Sequence, residues 1–313
     1  MEQTPLDATG RAEYQTAMII DAHHHLWDLQ AVHYPWLMEA GAVRFFGDPK
    51  SIQRDYLIDE FRRDASALGV GASVHVQVGA ADGWQEAQWV DKVAATQSDW
   101  PLAQVVFCDL TVADRDAKLD SFQTLDTVRG ARQIVGRAPG EDAVTGTNSL
   151  LDDPRFLEGL QELGRRGLSF DLQLLPELME KTAAVLACAP ETKIALCHAG
   201  SPHDRSVGGM SAWADGLLHL SALPSVTCKL SGLGMFEHDW TADSIRPLVE
   251  TCLEQFGPRR CMFGSNFPVD SLYSDYQTLV NAYRDLIPRE FHADCFGRTA
   301  ARFYDLAPLD QLD

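Results

Sequence analysis

Apolar and β-branched residues gather in eight short runs, over residues 18–25, 72–78, 103–110, 128–135, 168–174, 193–198, 225–230 and 260–264. Runs of this length with continuous rather than alternating hydrophobicity read as strands buried on both faces. Amphipathic stretches with readable ends fill most of the gaps. Asp153-Pro154 opens one, with proline at the first helical position, and Gly164 or Gly167 can close it. Pro176 opens the next, where Leu178, Ala183, Val185 and Leu186 form a sheet-facing stripe. A third covers residues 243–256 and stops at Gly257-Pro258. Ser274 is placed to cap a fourth over residues 275–287, which Pro288 ends. Eight strands alternating with helices over about 250 residues predict an α/β fold, a single-domain (β/α)8 TIM barrel. The barrel is expected over residues 18–313, with residues 1–17 a polar lead-in that lacks a basic-then-apolar signal pattern.

The polar positions carry the second signal. On this fold the active site lies at the carboxyl ends of the strands, and polar residues inside apolar strands are costly unless partnered or working. The first run ends in His23 and His25, which share one strand face because side chains alternate with a period of two. His75 and Gln77 end the second run, and Arg132 lies in the fourth. Asp171 and Gln173 end the fifth, His198 the sixth, and Lys229 and Ser231 the seventh. The eighth leads into Ser265, Asn266 and, after Pro268, Asp270. Two strand-end histidines one residue apart suit a divalent metal or a polarised carbonyl oxygen.

Composition narrows the partners. The net charge of −19 argues against nucleic acid and anionic membrane surfaces, both of which need a basic footprint. No apolar stretch approaches the roughly 20 residues that span a bilayer. The seven cysteines form no C-x-x-C pair, so buried free thiols in a reducing cytoplasm are expected, without a metal-thiolate role. A soluble, cytoplasmic barrel acting on a small molecule follows, with assembly into a homo-oligomer left open.

Several strings then point to a family: IIDAHHHLWD, HYPWL (33–37), VRGARQIV (128–135), FDLQLLP (170–176), LCHAGSP (196–202), CKLSGL (228–233), MFGSNFP (262–268) and FGRTAARFY (296–304). In this order the chain resembles the amidohydrolase-related barrels, in their branch of sugar-lactone and pyrone-dicarboxylate lactonases. The resemblance implies that His23, His25 and His198 surround the reacting carbonyl or one divalent metal, in the first instance zinc. The bridging fourth-strand ligand of two-metal members is Arg132 here, so a binuclear centre is not expected. Arginine there suits bidentate contact with a substrate carboxylate or lactone oxygen. The chain departs from the family at strand eight. Where members usually carry G-S-D-W-P, this chain has Gly264-Ser265-Asn266-Phe267-Pro268. A neutral amide holds a water but cannot serve as a general base.

Three histidines can bind zinc and acidify water, which leaves proton acceptance to Asp270, His24, Asp204 or hydroxide already formed on the metal. Equally, the same change fits a metal-free site in which His23, His25 and Arg132 polarise the carbonyl directly. The expected catalytic set is therefore His23, His25, His198, Asn266 and Asp270. Substrate contacts are assigned to Arg132, Gln77, Gln173, Lys229 and His75. Two of these have structural alternatives: His75 as a core histidine, and Lys229 as an ion pair with Asp171 or Glu237. Trp27, Tyr34, Trp36, Phe45 and Phe46 form either an apolar pocket wall or a packed loop. The expected reaction is hydrolysis of a lactone or related cyclic ester in sugar-acid or aromatic catabolism. The alternatives are decarboxylation or hydration of an aromatic or unsaturated acid, and a non-catalytic binding barrel.

Overall fold

The computed structural model describes residues 18–42, 44–136 and 148–306, so the lead-in expected over residues 1–17 lies outside them. Eight parallel strands follow one another in chain order: β1 (Ile19–His24), β2 (Val70–Val76), β3 (Leu102–Phe107), β4 (Val128–Ile134), β5 (Ser169–Gln173), β6 (Ile194–Leu196), β7 (Val226–Leu230) and β8 (Cys261–Phe263). Parallel ladders join each strand to the next, with register shifts in the β1–β2 and β3–β4 pairs. The seam between β8 and β1 is closed differently, by groups just beyond β8. Asn266 N–H donates to His23 O at 2.6 Å, and His25 N–H donates to Phe267 O at 2.7 Å. The Asp21 carboxylate accepts from Ser265 N–H at 2.9 Å. The barrel therefore closes through the residues expected to do the chemistry.

A helix follows each strand: α1 (Ile58–Ser66), α2 (Gly83–Ala95), α3 (Arg115–Phe122), α4 (Pro154–Arg165), α5 (Met179–Leu186), α6 (Val207–Ser221), α7 (Ala242–Phe256) and α8 (Tyr276–Leu286). A terminal helix, α9 (Thr299–Tyr304), ends the described chain. Their ends obey local chemistry. Asp153 caps α4 by accepting from Arg155 N–H, and Thr241 and Ser244 exchange hydrogen bonds as a capping box on α7. Two expectations shift. Asp275, not Ser274, caps α8, because its carboxylate reaches Thr278 N–H at 2.7 Å. Pro176 opens a 3-10 turn, Pro176–Leu178, and α5 proper begins at Met179.

One apolar layer joins strands to helices. A second, built from small and branched residues such as Ile20, Ala22, Ala72, Val74, Ala103 and Ala195, fills the barrel interior. Phe303 and Tyr304 of α9 belong to that inner cluster. The Tyr304 hydroxyl donates to the buried Asp171 carboxylate at 3.0 Å, which ties the chain end into the barrel. Above the strand ends, the loop after β1 meets the loop after β7 through Phe45 and Phe236, whose ring centroids lie 5.7 Å apart. Among the described residues no helix is long and apolar enough to cross a membrane. All seven cysteines are free, and Cys188 alone is exposed.

Candidate active site

The pairing register of β1 with β2 slips between Asp21 and His24. Beyond the slip, His23 and His25 share a side, with ring centroids 5.1 Å apart. The His198 ring joins them at 4.5 Å from His23. The middle histidine goes the other way. His24 stacks on Phe61 of α1 at 4.0 Å, nearly parallel, which removes it from the set of proton acceptors near the site. Asp204 is also removed, because it is exposed and holds Ser206 N–H in a loop turn.

All three site rings are neutral at ordinary pH. Burial pushes His23 and His198 well below the usual histidine range, helped by Lys229 at His23 and by Arg132 at His198. Burial and Arg132 push His25 down to about 3. His25 Nδ1 lies 2.7 Å from Val76 O and must donate to it, which leaves Nε2 with a lone pair. That lone pair faces Asn266 Oδ1 at 3.2 Å, while Asn266 Nδ2 donates to Asp270 Oδ1 at 2.8 Å. His198 Nδ1 is engaged by Ser231 Oγ at 3.1 Å, and neither ring nitrogen of buried His23 has a partner among the described residues.

This donor set suits a cation. Two ligands of a tetrahedral zinc with ~2.1 Å bonds stand ~3.4 Å apart, close to the His25–Asn266 separation. Unprotonated imidazoles with unpartnered nitrogens are the required form of the ligand. Counting only His, Cys, Asp and Glu, no three side chains among the described residues form a metal-holding group.

Arg132 is nearly buried beside this cluster. Its guanidinium donates to the main-chain oxygen of Gln77 and to Gln173 Oε1, the latter at 3.3 Å. Asp270 is buried, and burial raises its carboxyl to about 7 against the opposing Asn266 hydrogen bond. One of its oxygens has no partner among the described residues.

Three of the residues expected to contact substrate have partners within the protein. Lys229 is fully buried and forms an ion pair with Asp171 Oδ2 at 2.5 Å, also donating to Ala22 O, so its charge is spent inside the barrel. The His75 Nδ1 atom accepts from Leu26 N–H at 3.1 Å, and its other nitrogen faces Glu86 of α2 at 3.6 Å. Both contacts hold His75 among structural partners. Gln77 spends its side-chain oxygen on Gly79 N–H. Trp27, Tyr34 and Phe46 are buried and packed, while Trp36 and Phe45 are partly buried.

Residues outside the expected set also shape the site. Asp21 accepts from His23 N–H, Ser265 N–H and the Tyr276 hydroxyl, and burial raises it to about 6 despite these bonds. Its signal, a lone aspartate inside an apolar strand, was present in the string IIDAHHH. Ser231 and Gly232 seat His198. A Cβ at residue 232 would overlap the His198 ring, a contact that no sequence pattern reveals.

An eight-stranded parallel barrel with these histidines at its mouth has the architecture of the amidohydrolase class. Residues 20–306 match the amidohydrolase family, and the chain belongs to it. It is 36% identical to an uncharacterised protein of Sinorhizobium fredii over 271 residues, 86% of this chain and 91% of that protein. It is 30% identical to an L-fucono-1,5-lactonase of Burkholderia multivorans over 306 residues, 93% of this chain and 97% of that enzyme. Among solved structures, an amidohydrolase of Burkholderia multivorans with bound zinc shares 26% identity and a TM-score of 0.78, over 93% of this chain and 100% of that one.

Proposed function

We propose that this protein hydrolyses a lactone of small-molecule catabolism. The observation that carries the reading is the array of three unprotonated imidazoles beside Arg132, linked through Asn266 to a carboxyl raised to about 7. Similarity to the L-fucono-1,5-lactonase supports a sugar-acid lactone as the substrate class.

His23, His25 and His198, with the Asn266 oxygen, would hold one divalent metal, and zinc in the similar amidohydrolase supports that choice. Such an ion supplies polarisation of the lactone carbonyl and acidification of water. Arg132, a fixed cation, binds the carbonyl oxygen as it gains negative charge, or a substrate carboxylate. Gln173 keeps the guanidinium in place. Asp270 takes the proton of the attacking water, and a carboxyl near 7 suits that transfer at neutral pH. The new C–O bond forms at the carbonyl carbon, the ring C–O bond breaks, and the leaving oxygen recovers the proton from Asp270. Asn266 orients this carboxyl through its amide N–H. No contact to substrate is needed from Lys229, His75 or Gln77.

The test is hydrolysis of a panel of sugar-acid and aromatic lactones by protein purified without chelator, with metal content measured alongside. Turnover of at least one lactone is expected, lost on chelation and restored by zinc. Failure on every lactone with every divalent metal tried would refute the assignment.

A further inference from the structure

After β6 the chain runs through four consecutive residues in left-handed backbone: His198 (φ 54°), Ala199 (φ 49°), Gly200 (φ 72°) and Ser201 (φ 57°). Three of them carry a Cβ, which crowds the following carbonyl in that conformation, and such residues normally occur singly. Ser201 N–H donates to His198 O at 2.9 Å and closes one left-handed turn. A segment of this kind persists only where its surroundings fix it.

The surroundings here are specific. From α6, the Trp213 indole N–H donates to Ala199 O at 2.7 Å, in a fully buried contact. The Met179 methyl fills the space that a Cβ on Gly200 would take. On the opposite side, Ser231 Oγ holds His198 Nδ1 at 3.1 Å, and Gly232 leaves room for the ring. Ala199 itself offers no polar side chain, so its carbonyl is the handle by which the helix layer grips the turn. The turn reverses the backbone at the residue that must point a ring at His23.

We propose that the left-handed turn 198–201 is the device that aims His198, and that Trp213, through its bond to the Ala199 carbonyl, is the positioning residue that holds it. The importance of His198 to the reaction rests on the lactonase reading; the role of Trp213 in holding the ring does not.

Nitrogen NMR of the full-length protein with 15N-labelled histidine reads the ring directly. In the wild type, His198 is expected as the neutral Nδ1–H tautomer with slowed exchange. Trp213→Phe removes the donor and keeps an aromatic ring. Replacing Trp213 with benzothienylalanine removes the N–H while keeping the shape. Both are expected to erase the His198 signature and to leave His24 and His75 as they are. Ala199→Val, whose branched side chain opposes left-handed backbone, is expected to do the same with Trp213 intact. Ser201→Gly permits that backbone and is expected to preserve the signature. If lactone turnover is found, Trp213→Phe lowers kcat by about 10- to 100-fold with KM little changed. An unchanged His198 signal in both Trp213 variants overturns the proposal. So does loss of the His24 and His75 signals together with it, which would make Trp213 a support of the whole fold. Absence of lactone turnover leaves the NMR outcome decisive for the turn and counts only against the lactonase reading.

Discussion

Burial sets the protonation of the three site histidines and of Asp270. It strips charge from His23, His25 and His198, and it raises Asp270 to about 7. A carboxylate at residue 266 would stand 2.8 Å from Asp270 and share its burial, so the neutral amide avoids a second buried charge. Asp270→Asn is therefore expected to lower kcat about 10²- to 10⁴-fold, the usual share of a general base, while thermal stability holds or rises. Steady-state lactone hydrolysis with a melting curve on the same variant checks both halves. Lys229 belongs to a different account. Lys229→Met would leave Asp171 as an unpaired buried charge and cost about 3–5 kcal/mol in urea unfolding. The double variant with Asp171→Leu should recover much of that loss. A double variant no more stable than Lys229→Met alone would show that the ion pair is not the source.

Elements bring these residues together at irregularities rather than along regular strands. The pairing register of β1 slips between Asp21, whose carboxylate meets the Tyr276 hydroxyl, and His24, which stacks on Phe61. The seam between β8 and β1 fixes Asn266, itself a left-handed residue at φ 57°. Gly232 shows how little slack remains. It has φ 64°, and its missing Cβ leaves the space that the His198 ring occupies. Gly232→Ala is expected to cost about 1–2 kcal/mol for the left-handed alanine. Displacement of the ring should also lower kcat on the order of 10²-fold, as a misplacement of about 1 Å does. Hydrolysis assays paired with denaturant unfolding separate the two effects, and full activity in this variant would contradict the seating described for His198.

At the scale of the molecule, the buried histidines make stability depend on pH. His23, His24, His25 and His198 all have folded-state values depressed by burial, below the ~6.5 of an unfolded chain. Below pH ~6.5 the unfolded state binds protons that the folded state refuses, so stability falls as pH falls. Each such histidine contributes a slope of up to about 1.4 kcal/mol per pH unit. Asp21 and Asp270 act in the opposite sense. Raised to about 6 and about 7, they remain protonated in the fold while the unfolded chain ionises above pH ~4, so their contribution is lost as pH rises. Four histidines outweigh two carboxyls, and the net expectation is marked loss of stability between pH 6.5 and pH 5 in metal-free protein. Urea midpoints at pH 8, 6.5 and 5 in chelator measure this; equal midpoints would contradict the burial of these rings.

Much of the fold was legible because two periods and a few punctuating residues encode it. Eight apolar runs matched eight strands to within a few residues, and the proline and aspartate signals located α4 closely. The histidine cluster was legible as well, since the period of two puts His23 and His25 on one face wherever the strand lies. By itself the sequence determined the barrel, the address of the site and its departure at Asn266. Partnership was decided only by tertiary structure. Lys229 and Asp171 are 58 residues apart along the chain, and Asp21 and Ser265 are 244 apart. No local pattern distinguishes a lysine that meets substrate from one that meets a buried carboxylate. The left-handed turn at His198 was hidden for the same reason. Local preference opposes it, and packing from α5, α6 and the loop after β7 makes that backbone the stable one.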